Sequence, residues 1–240
     1  FNRKPAVYAG DVDLATSGRV ANPEISTDPV DVTVWADSAH RNNPGLQNVR
    51  ANLTALFDST SQSSHDMITT MLSNARVLSY YPNGDTFDNG GIGMGSARAR
   101  NWQPEGAVGA ALLVSVEVYQ DGTWDNLRSM YTKTTFTTAA TGTVQDGTAA
   151  STAGGGWYLH VFSSSASAGA GTWKVTLRHS TANVDASFAD LSTFNVASGS
   201  ATGTRISIGS GTTINRYTRV VVALDGSSGN ISAHSGLSRA

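Results

Sequence analysis

The clearest pattern in the chain lies between Leu46 and Phe57. Val49, Ala51, Leu53, Ala55 and Phe57 alternate there with Asn48, Arg50, Asn52, Thr54 and Asp58. A period of two predicts a strand with one face on a core and the other in water. A shorter strand is expected before it, at Val30–Ala36, joined through a polar linker and a turn at Pro44-Gly45. The amide, hydroxyl and guanidinium groups on the wet face suit an outer strand. They also suit a sheet that lines an aqueous channel.

The same alternation recurs. Ala107–Tyr119 is the strongest example, with Val108, Ala110, Leu112, Val114, Val116 and Val118 on one face and Ser115, Glu117 and Tyr119 on the other. Further strands are expected at Ala6–Val12, Val77–Tyr81, Ser96–Trp102, Thr134–Thr138, Trp157–Phe162, Thr172–His179, Thr204–Ile208, Arg216–Leu224 and Ile231–Leu237. The best helix candidate is His65–Asn74. Ser63 or Ser64 can cap it, Asp66 sits in its first turn, and Met67, Ile68, Met71 and Leu72 form one stripe. Ala186–Phe194 reads as a single helical turn with Phe188, Leu191 and Phe194 inward.

Breakers divide the chain. Pro23 and Pro29 interrupt regularity near the start. Pro82–Gly95, rich in Asn, Asp and Gly, predicts a protruding loop or hairpin. Thr132–Gly156 is low in complexity and ends in a Gly154–Gly156 joint. The expected fold is mainly β: a sandwich or curved-sheet core with one short α-helix over residues 1–131, a linker or extended segment over 132–156, and a second β-sandwich-like half over 157–240.

Composition narrows the partners. Of the 240 residues, 14% are charged, the net charge is -2, and there is no cysteine. Thiol chemistry and disulfides are excluded. A near-neutral chain is poorly suited to gripping phosphates. No apolar run reaches the roughly 20 residues of a membrane span, and Phe1–Pro5 lacks the apolar segment of a signal peptide. Sparse charge with abundant small polar residues suits a protein covered by copies of itself, because interface cores are depleted of charge.

Candidate chemistry is thin. The five histidines show no metal-ligand spacing. Gly91–Gly95 lacks the lysine and the strand–helix context of a phosphate loop. Asn83–Asn89 has calcium-like oxygens but no closing glutamate, and reads as turns. Arg98, Arg100 and Trp102 alternate as a basic face with an aromatic; a wet face or subunit contact is the simpler reading. Trp157, Tyr158 and Trp173 fit a core better than a sugar platform. No catalytic, cofactor-binding or metal-binding residue is expected, and the chain is read as a non-enzyme.

Two stretches resemble the tail tube (major tail) proteins of long-tailed bacteriophages. The first is carried by Asp31, Val32, Thr33, Asp37, Ser38, Arg41, Pro44, Gly45, Leu46, Phe57 and Asp58. The second is carried by Leu177–Ser180, Phe188–Phe194, Arg205–Ile208 and Asn215–Arg219. The resemblance implies a structural virion subunit that closes into six-fold rings and stacks into a tube. Its partners would be itself, other tail proteins and genomic DNA in passage, with no cofactor and no membrane. Its place would be the virion tail, reached from the host cytoplasm during assembly. Asn48, Arg50, Asn52 and Thr54 are then the candidates for the lumen. Asn83, Asp85, Phe87, Asp88 and Met94 are the candidates for a loop that reaches a neighbouring subunit. A conduit wall should not attract phosphates. Arg50 is therefore either paired with a carboxylate or its face is not the lumen. A second reading is a carbohydrate-binding β-sandwich or virion decoration that uses Trp157, Tyr158 or Trp124.

Overall fold

A computed structural model describes residues 4–14, 18–34, 42–56, 64–106, 112–166, 171–225 and 228–239. The strands are β1 (Ala6–Ala9), β2 (Val12–Asp13), β3 (Gly18–Asp31), β4 (Asn42–Leu56), β5 (Arg76–Tyr81), β6 (Gly90–Glu105), β7 (Leu113–Gln120), β8 (Trp124–Phe136), β9 (Ala140–Thr141), β10 (Gln145–Asp146), β11 (Gly155–Ala166), β12 (Thr172–Ser180), β13 (Ala189–Ala197), β14 (Thr202–Ile208), β15 (Tyr217–Asp225) and β16 (Gly229–Arg239). One α-helix, α1, spans Ser64–Ser73. The chain is mainly β, as its alternation predicts. Phe57, Asp58, Val108, Ala110, Asp37, Ser38, Arg41 and Ser63 lie outside the described residues.

An 11-stranded sheet runs β14-β11-β16-β8-β6-β5-β1-β2 and branches at β6 into β7, β4 and β3. Ala97 of β6 faces Arg76 of β5 on one side and Gln120 of β7 on the other. β7 and β8 therefore share one edge of β6, and the branch folds away from the main path. A 5-stranded sheet, with β15 between β12 and the short β9 and β10 and with β13 outermost, covers part of the large one.

Three apolar layers follow. Met67, Ile68 and Met71 of α1 press onto Val49, Ala51, Leu53, Val114, Val116, Val118, Ala97 and Ala99, the dry sides of β4, β7 and β6. Leu72 is 43% exposed and lies outside the stripe expected for it. Trp157, Leu159, Val161, Trp173, Val175, Leu177, Val220 and Val222 fill the space between the two sheets. On the other face of β11, Tyr158 packs with Tyr8, Val77, Tyr81 and Leu127.

The sheet continues across the boundary expected at residue 131. β8 runs through it, and β16 pairs with β8 from Leu237 to Ile231. Within 132–156, β9 and β10 pair with β15. The Gly154–Gly156 run is no free joint. Gly155 and Gly156 pair with both β14 and β16, and a Cβ on Gly156 would stand 2.7 Å from the Asp125 carboxylate.

Other local expectations are corrected. The strand expected at Val30–Ala36 instead ends at Asp31, having begun at Gly18. Pro23 and Pro29 lie within it. Among the described residues β3 is an edge strand that pairs only with β4, so a missing N–H on its outer side costs no ladder bond. Pro44 lies within β4, opposite Pro29 rather than in a turn. Gly90–Gly95 belongs to β6, which leaves only residues 82–89 irregular. Ala189–Ala197 is a strand; the sole helical feature there is a short 3-10 turn at Asp185–Ser187.

Candidate functional site

β3, β4, β7 and β6 form an antiparallel quartet with α1 on its dry side. Direct cross-strand pairs share a face, so the registers define the wet side. Asn22, Glu24 and Ser26 of β3 stand opposite Asn52, Arg50 and Asn48 of β4. Arg50, Asn52 and Thr54 stand opposite Tyr119, Glu117 and Ser115 of β7. Those three stand opposite Arg98, Arg100 and Gln103 of β6. The four lumen candidates thus lie on one polar face together with residues from three other strands.

The arginines on this face are matched. Arg50 Nε donates to Glu24 at 3.0 Å and Nη2 donates to the other carboxylate oxygen at 3.1 Å. Arg100 donates to Glu117 at 2.6 Å, and Asn101 adds a 3.2 Å bond to the same carboxylate. Arg98 donates to Asp121 at 2.6 Å. The bond from Arg50 lowers the pKa of Glu24, and the bond from Arg100 lowers that of Glu117. Arg100 also lies over the Tyr119 ring, 5.4 Å from its centre. Asp28 adds further negative charge beside Asn48, 3.4 Å away. Of the two alternatives open for Arg50, the structure shows the paired one.

β6 departs from simple alternation. Asn101 has φ of 55° and the register slips between Arg100 and Gln103. This bulge turns Trp102 off the arginine face and onto the core under α1, where its ring lies 5.5 Å from His65. Arg98, Arg100 and Trp102 therefore do not share one face; the aromatic beside the arginines is Tyr119.

The second candidate set is largely engaged within its own chain. Met94 is buried in β6 opposite Leu78. Asp85 accepts bonds from the Tyr8 hydroxyl and the Lys133 backbone N–H, both at 2.6 Å. Asp88 receives Arg128 at 3.1 Å and Gln145 at 2.9 Å. Phe87 lines a cleft of about 280 Å³ against Met130, Phe136 and Val222. Asn83 is exposed, and its carbonyl accepts from Asn89.

The aromatic residues offer no sugar platform. Trp157, Tyr158 and Trp173 are fully buried. Their polar atoms bond to Ser235 at 2.7 Å, Asp125 at 2.7 Å and the Ser165 carbonyl at 2.9 Å. Trp124 packs against the layer under α1. Among the described residues, no group of three or more His, Asp or Glu side chains is placed to hold a metal ion.

Two features were invisible in the sequence. Glu24 stands 26 residues from Arg50, and only the β3–β4 register joins them. The second is the length of the β3–β4 ribbon. β4 pairs with β7 only from Arg50 to Leu56. Among the described residues, residues 42–49 pair only with β3, so the ribbon projects beyond the quartet as two strands. Ile25 on its helix-side face is 43% exposed.

No family model and no curated protein matches the chain. Solved structures do resemble it in part. The tail of an empty GTA particle, refined helically with C6 symmetry, shares 9% identity at a TM-score of 0.38, covering 46% of this chain and 81% of the other. The virion of a native gene transfer agent particle gives 9% identity and a TM-score of 0.38, over 46% of this chain and 84% of the other. The SPP1 Dit protein, a hub of the adsorption apparatus in phages that infect Gram-positive hosts, gives 11% identity and a TM-score of 0.33, over 96% of this chain and 98% of the other.

Proposed function

We propose that this chain is a structural subunit of a phage-type tail tube, and that the polar face of the β3-β4-β7-β6 quartet lines a water-filled passage for DNA. The observation that carries the reading is the construction of that face. It is continuous over four strands, built from amides, hydroxyls and matched ion pairs, and backed by a dry core. Such a surface wets well and carries no excess positive charge.

The projecting ribbon supports assembly. A two-stranded ribbon is marginal alone in water, and among the described residues β3 forms a sheet edge with β4 as its strand partner. Docking on a second copy would cover Ile25 and satisfy that edge, and a heterologous contact of this kind closes into a ring when its rotation permits. We assign the inter-subunit contact to this ribbon in preference to the 82–89 segment, whose aspartates bond within their own chain. A six-fold ring and coaxial stacking complete the proposal, with other tail proteins as the end partners.

Negative-stain electron microscopy with light scattering on concentrated protein tests it. Rings or tubes with a central hole are expected. A monodisperse monomer across concentration and salt, even when preformed tube ends are added as seeds, would refute it.

A further inference from the structure

Arg50 on β4 and Arg98 and Arg100 on β6 flank β7 on one face, and each has a carboxylate within 3.0 Å. Stability explains them only in part. The Arg50–Glu24 and Arg98–Asp121 pairs are well exposed on both sides, and exposed ion pairs contribute little, although Arg98 also donates to the Ser73 carbonyl at the end of α1 and Glu117 is mostly buried beside Arg100. Neutrality alone does not explain them, because Asn22, Asn52, Thr54 and Ser115 already supply neutral wetting on the same face.

We propose that Glu24, Glu117 and Asp121 are charge masks. They cancel Arg50, Arg100 and Arg98 so that the face does not hold the phosphates of duplex DNA. This deepens, and rests on, the reading of that face as a conduit wall. An unmasked set of three arginines would neutralise about three phosphates and give a salt slope near −2.7 in log–log form. Six or more copies around a bore would multiply that grip and stall a passing duplex. With the masks in place, and with Asp28 adding negative charge at the rim of the face, phosphates meet an unfavourable field.

The test uses the full soluble chain with Glu24→Gln, Glu117→Gln and Asp121→Asn together, and a short fluorescent duplex read by anisotropy at low salt. The triple variant is expected to bind at least about tenfold more tightly than the wild-type chain, with a steep loss on adding salt. Adding Arg50→Gln, Arg98→Gln and Arg100→Gln should abolish the gain. Binding no tighter than wild type, in a variant that melts like wild type, overturns the proposal. Should the triple variant misfold, Glu24→Gln alone reads the same change on a smaller scale, and its failure to bind more tightly counts equally. Tubes assembled from the variant separate the masks from the conduit. A closed circular plasmid cannot thread a bore, so variant tubes should bind it no better than wild-type tubes. Plasmid binding by variant tubes as strong as by the soluble variant would support the masks and refute the conduit.

Discussion

Acid should loosen the fold through His160, which is fully buried where β11 meets β1 and β5. Its Nδ1 lies 2.7 Å from the Gly10 carbonyl, which can only accept, so Nδ1 carries the proton. Nε2 lies 2.9 Å from Ser79 Oγ and accepts from that hydroxyl. The ring is thus held neutral, and burial lowers its pKa from 6.5 to about 4. A folded-state pKa below the unfolded one means that the unfolded chain binds the extra proton between those values. Stability is then fully present above pH 6.5 and lost as pH falls toward 4. At 1.36 kcal/mol per pH unit, the loss from pH 7.5 to pH 5 is about 2 kcal/mol from this group alone.

His234, paired directly with His160, is also buried, and its pKa is likewise lowered, through burial and then the neighbouring charge of His160. Tyr8, Tyr81, Tyr131, Asp85 and Asp11 face the two rings, and Lys133 lies over Phe162, which stacks on His160. Urea unfolding followed by tryptophan fluorescence at both pH values measures the loss. His160→Gln removes the titrating group, so its stability should change by about 2 kcal/mol less across the interval than that of wild type. His179, also lowered by burial, contributes equally to both proteins and cancels. Equal pH dependence in wild type and His160→Gln would refute the reasoning. If His160→Gln does not fold, His234→Phe tests the same layer in the same way.

The remaining predictions concern packing and assembly. Gly203→Ala places a Cβ 2.4 Å from the Gly10 carbonyl oxygen and 2.5 Å from Gly10 Cα, backbone that cannot yield as a side chain would; a loss of about 1–3 kcal/mol in thermal melting is expected, and an unchanged melt would contradict the contact. Trp157→Phe removes the 2.7 Å bond to the buried Ser235 hydroxyl and should cost about 1–3 kcal/mol, read by denaturant midpoint. Arg50→Ala should leave the monomer melt essentially unchanged, because both partners are exposed; a clear loss would make the pair structural. Ile25→Asp should leave the monomer melt unchanged and prevent assembly, measured by light scattering; normal assembly would remove the ribbon from the interface.

Periodicity in the sequence located β4, β7, β11, β12 and α1, because each buries one face and shows it. It failed where a second effect overrode the pattern. β3 carries Pro23 and Pro29, which mark an edge strand as readily as a break. Phe188, Leu191 and Phe194 stand at helical spacing, yet Leu191 and Phe194 lie within β13, and Phe188 precedes the strand and is buried under the Arg219 guanidinium, 4.0 Å from its ring centre. The Asn101 bulge reverses which residues share a face in β6, and no local composition announces it. The polar side of β4 was legible residue by residue. Its electrostatic character was not, because Glu24, Glu117 and Asp121 reach their arginines only through strand pairing.

A reconstruction of the assembled protein by cryo-electron microscopy tests the central claim most directly. The conduit reading predicts an open bore with Asn48, Arg50, Asn52 and Thr54 on its wall, and the 5-stranded sheet away from it. An assembly with those four side chains on the outer surface, or closed against another copy with no bore between them, would contradict it.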